Sequence, residues 1–269
     1  MKYKLICSDL DDTLLNSKSK INPSLKGAIS EYVKSGGKFC IVTGRMTVGA
    51  VPIAKSLDLH GEIISYQGAI VSDIDTGEII FSTAIDTDFC IKIGEFIEDN
   101  GYYYQIYVGD KFYTATPNEF SEIYSKLSNA SYEKTNCKLS EYVRKNKLSS
   151  PKMLIMAEPP KIAPMMEKLR ASFGNDFLIN TSKPFIIEIV PKMVNKGLAV
   201  INLAKKYGIK REEIICIGDS ENDLTMFEQV PFSVCVSNGS EIAKSRAKVI
   251  APTCDEDAVG WVIRNYGLK

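Results

Sequence analysis

Three carboxylates, Asp9, Asp11 and Asp12, stand within the stretch Asp9-Leu10-Asp11-Asp12-Thr13, directly after the apolar run Leu5-Ile6-Cys7. No apolar core accommodates that much charge without a partner. Residues i and i+2 of an extended segment point the same way, so Asp9 and Asp11 can share one pocket at the carboxyl end of a buried strand. Open α/β sheets bind their ligands there. Neighbouring carboxylates repel unless a proton or a cation lies between them. A hard divalent ion such as Mg2+ takes oxygen ligands, so the stretch suggests metal binding first; the plain alternative is an acidic surface turn.

Three other junctions repeat this change from apolar strand to polar residues. Gly218-Asp219-Ser220-Glu221-Asn222-Asp223 follows the apolar Ile214-Ile215-Cys216-Ile217, Thr43-Gly44 closes a run at residues 38–42, and Lys196 opens a helix at Asn195-Lys196-Gly197. A cation in a helix's first turn faces the positive end of the dipole and is disfavoured by about 0.3–1 kcal/mol. A bound anion would reverse that sign; the plain alternative is a solvated lysine. Methionine at 196 is therefore expected to reduce activity with little loss of stability. Singly, Thr43 reads as a helix cap. Together, at one edge of a parallel sheet, the four junctions would converge.

The elements that must hold them alternate. Strands are expected at residues 5–7, 38–42 and 62–65, with helices between them that begin near Asn22-Pro23 and at Thr47. This strand–helix order predicts a parallel sheet with helices outside. A β-hairpin is expected over residues 69–81, around Asp73-Ile74-Asp75-Thr76-Gly77. From about Ala84 to Val190 the character changes to tyrosine-rich strands and helices with a core of their own. The chain then returns to the first pattern, with strands at residues 213–217, 232–236 and 248–250 and a last helix capped by Asp255. The expected fold class is α/β: a Rossmann-like parallel-sheet core, residues 1–83 and 191–269, carrying an inserted α+β cap, residues 84–190.

Composition narrows the partners. Lys+Arg and Asp+Glu are both 33 in 269 residues, so no global field favours nucleic acid or an anionic membrane, and neither is expected as a partner. The seven cysteines include no C-x-x-C pair, and Cys7, Cys40, Cys216 and Cys235 lie in apolar runs where a thiol packs as a small hydrophobe. A reducing cytoplasmic location is expected. No run approaches the ~20 apolar residues of a membrane span. His60, the single histidine, reads as a surface loop residue.

The ordered set resembles the haloacid dehalogenase-like hydrolase superfamily, most closely its Cof-type phosphatases with an inserted α/β cap. Asp9-Leu10-Asp11-Asp12-Thr13 is similar to the family's first motif, Thr43 to its second, Lys196 to its third and Gly218-Asp219-Ser220-Glu221-Asn222-Asp223 to its fourth. Two positions depart from the family pattern: Asp12 stands where many relatives have glycine, and Gln67 where asparagine is usual.

The resemblance implies an Mg2+-dependent phosphatase of small phosphorylated metabolites, sugar phosphates foremost, working through an aspartyl-phosphate. By it, Asp9 attacks phosphorus, and Asp11 protonates the leaving oxygen and then activates water. Mg2+ is held by Asp9, the Asp11 carbonyl and Asp219, with Asp223 supporting, while Thr43, Gly44, Lys196 and Asn222 hold the phosphoryl oxygens. Substrate choice falls to the cap, and a monomer or weak dimer is expected. The alternatives are a phosphomutase, which needs a second phosphate site, and a non-catalytic phosphometabolite-binding protein.

Overall fold

The computed structural model describes residues 2–269, Ser182 by its backbone alone. The chain divides into two compact units, Met1–Phe81 with Asn195–Lys269, and Ser82–Val194.

The first unit opens with β1 (Leu5–Ser8), α1 (Leu25–Lys34), β2 (Lys38–Ile41), α2 (Thr47–Ser56), β3 (Glu62–Ser65), β4 (Ile70–Asp73) and β5 (Ile79–Ser82). All four residues of β1 are buried, as in strands covered on both faces. The expectation that β3 extends the parallel sheet is corrected. It touches that sheet through one parallel bridge, Val42 to Ile64, and forms a separate three-stranded sheet in the order β3-β4-β5. The first helix also begins later than Asn22-Pro23 suggested, because Asn22 turns its amide to the Cys254 carbonyl (2.7 Å) instead of capping.

The inserted unit runs through α3 (Thr87–Asp99), β6 (Tyr103–Val108), β7 (Lys111–Thr114), α4 (Glu119–Ser128), β8 (Ser131–Lys134), α5 (Leu139–Asn146), β9 (Met153–Met156), α6 (Pro159–Phe173), β10 (Phe177–Lys183) and β11 (Ile186–Pro191). Its six strands form one sheet, ordered β10-β11-β9-β6-β7-β8. Alternate residues such as Tyr104, Ile106, Ile155 and Ile187 pack against Ile93, Val143 and Leu169 of the helices. Tyr104 and Tyr107 are buried. Tyr104 donates to Glu98 (2.8 Å) and Tyr107 packs at a tilt against Phe112 and edge-on against Tyr124, so both serve packing.

The chain then re-enters the first unit with α7 (Lys196–Lys206), β12 (Ile214–Gly218), α8 (Leu224–Gln229), β13 (Ser233–Val236), α9 (Glu241–Arg246), β14 (Val249–Ala251) and α10 (Ala258–Val262). Five strands, ordered β14-β13-β12-β1-β2, pair in parallel. One face packs Ile6, Ile41, Ile215 and Val234 against α1 and α10, and the other packs Cys7, Cys40, Cys216 and Cys235 against α7 and α8. These four thiols are buried and free, and burial pushes those of Cys7 and Cys235 up. The last helix is capped by Asp257, which accepts from the Gly260 amide (3.2 Å), and not by Asp255, which accepts from Ser17. His60 is an exposed loop residue whose Nδ1 lies 3.0 Å from Asp75. Among the described residues no helix is long and apolar enough to cross a membrane.

Candidate active site

Parallel pairing brings the polar junctions to one edge. Ser8 is in register with both Ile41 and Ile217, the Asp9 amide donates to the Ile217 carbonyl (2.9 Å), and the Val42 amide donates to the Ser8 carbonyl (2.8 Å). Asp9 thus leaves β1 level with Val42 and Gly218, and Thr43 and Asp219 follow one residue further along the flanking strands, which lie about 4.8 Å to either side. No local signal encodes that proximity; the register does.

Lys196 joins them from α7, whose Asn195 cap accepts from the Leu198 amide (2.8 Å). Its ammonium is fully buried and donates to Asp9 Oδ1 (2.5 Å) and Asp223 Oδ1 (2.7 Å). The solvated-lysine alternative is excluded. Burial alone would favour the neutral amine, but the carboxylates of Asp223 and Asp9 more than reverse that and push its pKa up. Asp223 is engaged at both oxygens, because its Oδ2 accepts from the amides of Asp219 (2.9 Å) and Ser220 (3.1 Å). A Cβ on Gly218 would lie 2.4–2.5 Å from that carboxyl group, so only glycine lets β12 end against it.

Asp9, Asp219 and Asp223 each offer a carboxylate oxygen within 4.8 Å of the others. Burial, then Asp223, pushes the Asp219 carboxyl up to about 6, against the hydrogen bond from Thr13 (3.0 Å). For Asp9 burial is again the largest influence, Lys196 opposes it, and the net direction is well upward. Three carboxylates face one ammonium here, and the uncompensated charge with its oxygen-only donors fits a hard divalent cation. Asp9 and Asp219 retain oxygens for it, whereas Asp223 is engaged in holding Lys196 and the turn.

Thr43 is buried, and its Oγ1 accepts from the Arg45 amide (3.1 Å). Gln67 closes over this loop: its backbone N–H donates to the Thr43 carbonyl (3.0 Å), and a Cβ on Gly44 would lie 2.4 Å from Gln67 Nε2. Gln67 Oε1 is buried without a hydrogen-bond partner, and Tyr66, Gln67 and Gly68 have φ of 50°, 59° and 100°. Asn222 is exposed and its Oδ1 accepts from Ser220 Oγ (2.8 Å), leaving its Nδ2 as the donor. Asp11 does not join the buried cluster; its carboxylate is gripped by Arg45 through two hydrogen bonds (2.9 and 2.5 Å). Arg45 directly follows Thr43 and Gly44 in the chain, but no local pattern announces its partner in another loop.

Asp12 makes a left-handed turn after Asp11. Its φ is 55° and its carbonyl accepts from Asn238 Nδ2 (2.8 Å), a left-handed backbone that aspartate tolerates better than most residues. We expect Asp12→Gly to fold and turn over near wild type, and Asp12→Val to lose about 1–2 kcal/mol of stability in thermal denaturation. Equal melting of the two variants would show that the turn relaxes freely.

A family model for haloacid dehalogenase-like hydrolase matches residues 6–263. The chain belongs to this family. Phosphatase YwpJ of Bacillus subtilis is 27% identical over 291 residues, covering 97% of this chain and 99% of its own. The 5-amino-6-(5-phospho-D-ribitylamino)uracil phosphatase YwtE of the same organism is 27% identical over 282 residues, covering 97% and 96%. A haloacid dehalogenase-like hydrolase from Bacteroides thetaiotaomicron superposes with a TM-score of 0.88 at 29% identity, over 98% of this chain and 99% of that one. The protein is accordingly an enzyme, a haloacid dehalogenase-like phosphatase.

Proposed function

We propose that this phosphatase hydrolyses small phosphorylated metabolites, sugar and polyol phosphates foremost, through an aspartyl-phosphate on Asp9 and with Mg2+ as cofactor. The observation that carries the reading is the fully buried Lys196 ammonium, bonded to Asp9 and Asp223 beside Asp219. A phosphate dianion would meet that cation, the Thr43 hydroxyl, the Gly44 amide and Asn222 Nδ2.

Asp9 attacks phosphorus as the bond to the leaving oxygen breaks, and Asp11 gives that oxygen its proton. Water then attacks the aspartyl-phosphate, its proton passes to Asp11, and phosphate leaves. Mg2+, held by Asp9, Asp219 and the Asp11 carbonyl, would neutralise the repulsion between nucleophile and phosphoryl group. Lys196 does the same from the protein side, and much of this catalysis is positioning and charge stabilisation. Asp223 holds Lys196 and the Asp219 turn in place.

A full-length relative is named for a phosphoribityl substrate, which supports a small polyol phosphate; substrate choice is assigned to the inserted residues 84–190. The phosphomutase alternative loses support because the two arginines of that segment are already engaged. Arg144 pairs with Glu95 (2.5 Å), and Arg170 donates to the Ile179 carbonyl (2.8 and 3.1 Å). The free thiols and the absence of a membrane-crossing helix among the described residues favour a cytosolic enzyme.

The test is phosphate release from a hexose 6-phosphate, a pentitol phosphate and p-nitrophenyl phosphate. Activity should need Mg2+, vanish on chelation and return when the ion is restored. Undiminished turnover after exhaustive chelation would remove the metal from the reading, and no turnover on any ester would remove the function.

A further inference from the structure

Arg45 stands beside the phosphate-binding loop, where an arginine would ordinarily be taken for an anion ligand. Its side chain is committed elsewhere. Nε donates to Asp11 Oδ2 (2.9 Å) and Nη2 to Asp11 Oδ1 (2.5 Å), the two-pronged match of guanidinium to carboxylate that fixes orientation as well as distance. The backbone that delivers it is also tied down. The Arg45 amide donates to Thr43 Oγ1 (3.1 Å), and its carbonyl accepts from the Tyr66 amide (2.9 Å).

Stability alone is a weak reason for this pair. The Asp11 side chain is 46% exposed and that of Arg45 25%, and pairs so open to water contribute about 0–1 kcal/mol. Asp11 has more need of the contact than the fold has. It follows Asp9 on a turn, half open to solvent, with two rotatable side-chain bonds and, among the described residues, no other hydrogen-bond partner for its carboxylate. Proton transfer needs the donor oxygen within about 2.6–3.2 Å of its target. A carboxylate has about four lone-pair sites, so a fork that uses one on each oxygen leaves one on each for the leaving oxygen or for water.

We propose that Arg45 is a positioning residue for proton transfer: it holds Asp11 by both oxygens and does not itself bind the phosphoryl group. The proposal rests on the reading of Asp11 as the proton-transfer group. In the first step the proton leaves Asp11 for the departing oxygen while the P–O bond breaks and the bond from Asp9 to phosphorus forms. In the second, Asp11 takes a proton from the attacking water. Arg45 gains and loses no proton in either.

The test compares Arg45→Met and Arg45→Lys with wild type and Asp11→Asn, all with Mg2+. Single-turnover rates are measured on a hexose 6-phosphate, whose leaving alkoxide needs a proton, and on p-nitrophenyl phosphate, whose leaving group does not. General acid assistance contributes typically ~10²–10⁴-fold. Arg45→Met should forfeit about 10–100-fold of it on the hexose ester and only a few-fold on the aryl ester. Inhibition by inorganic phosphate should stay within about threefold of wild type. Arg45→Lys keeps the charge without the fork and should show the same selectivity with a smaller loss; it carries the test if the methionine variant does not fold. In an Asp11→Asn background, Arg45→Met should cost nothing further on the hexose ester, because residues acting through one group are not additive.

Equal losses on both esters with weakened phosphate inhibition would make Arg45 an anion ligand and overturn the proposal. So would additive losses in the double variant, or wild-type rates in both single variants. If wild type turns over both esters and the Arg45 pattern is absent, this inference fails alone; if wild type turns over neither, the assigned function falls with it.

Discussion

Asp9→Asn should remove turnover on every phosphate ester, whatever the leaving group, while the protein folds at least as well as wild type. An amide oxygen is a poor nucleophile, and the neighbouring carboxylates have other tasks: Asp223 is bonded at both oxygens, Asp11 is held by Arg45, and Asp219 accepts from Thr13 and is assigned to the metal. The stability half follows from the direction of the pKa shift. Burial pushes the Asp9 carboxyl well up, so the folded chain binds that proton more tightly than the unfolded one. Such a group favours folding at low pH, and its contribution is lost as the pH rises from the unfolded value of about 3.9 through the raised one. At neutral pH without metal the carboxylate therefore opposes folding. Asparagine lifts that cost and leaves Lys196 paired with Asp223. Thermal denaturation of metal-free protein should give an unchanged or higher midpoint for Asp9→Asn, and Mg2+ should raise the wild-type midpoint more than the variant's. Wild-type-like phosphate release would remove Asp9 from the nucleophile's role; a clear drop in melting temperature would show that its ion pair with Lys196 outweighs its burial.

Lys196→Met should damage both chemistry and fold, a larger effect than the sequence suggested. A lysine in a helix's first turn reads as a surface group whose removal costs little stability. This one is fully buried between two carboxylates. Breaking a buried pair by removing one partner costs about 3–5 kcal/mol, which for a unit of this size is about 6–20 °C in melting temperature. Phosphoryl transfer should fall steeply, because the charge that offsets the phosphate dianion is gone. The double variant Lys196→Met/Asp9→Asn should recover part of the lost stability and none of the activity, since it removes one stranded carboxylate. Near-wild-type kcat/KM in the single variant would detach Lys196 from the phosphoryl group. Additive stability losses in the double would deny its pairing with Asp9.

The elements were legible where side-chain period or capping announced them. The apolar runs before Asp9 and Asp219 became β1 and β12, and the Asn195 signal became the start of α7. Where the local signal is weak the sequence is silent: β8 is Ser-Tyr-Glu-Lys, with no apolar alternation, and α5 lacks a side-chain N-cap. Local capping chemistry also misled, because Asn22 and Asp255 spend their side chains on long-range hydrogen bonds to Cys254 and Ser17.

By itself the sequence determined which residue types stand at the strand ends and in what order, and the order Asp9, Thr43, Lys196, Asp219 names the chemistry. The tertiary structure decided which of them meet. Parallel register brought Asp9, Thr43 and Asp219 to one edge of the sheet, within a residue of the same level, and burial turned Lys196 from a surface cation into the partner of Asp9 and Asp223. The packing of loops gave Asp11 to Arg45. Such pairings join residues far apart in the chain, where no periodicity or propensity operates, and desolvation, which makes them strong, exists only once the chain has folded.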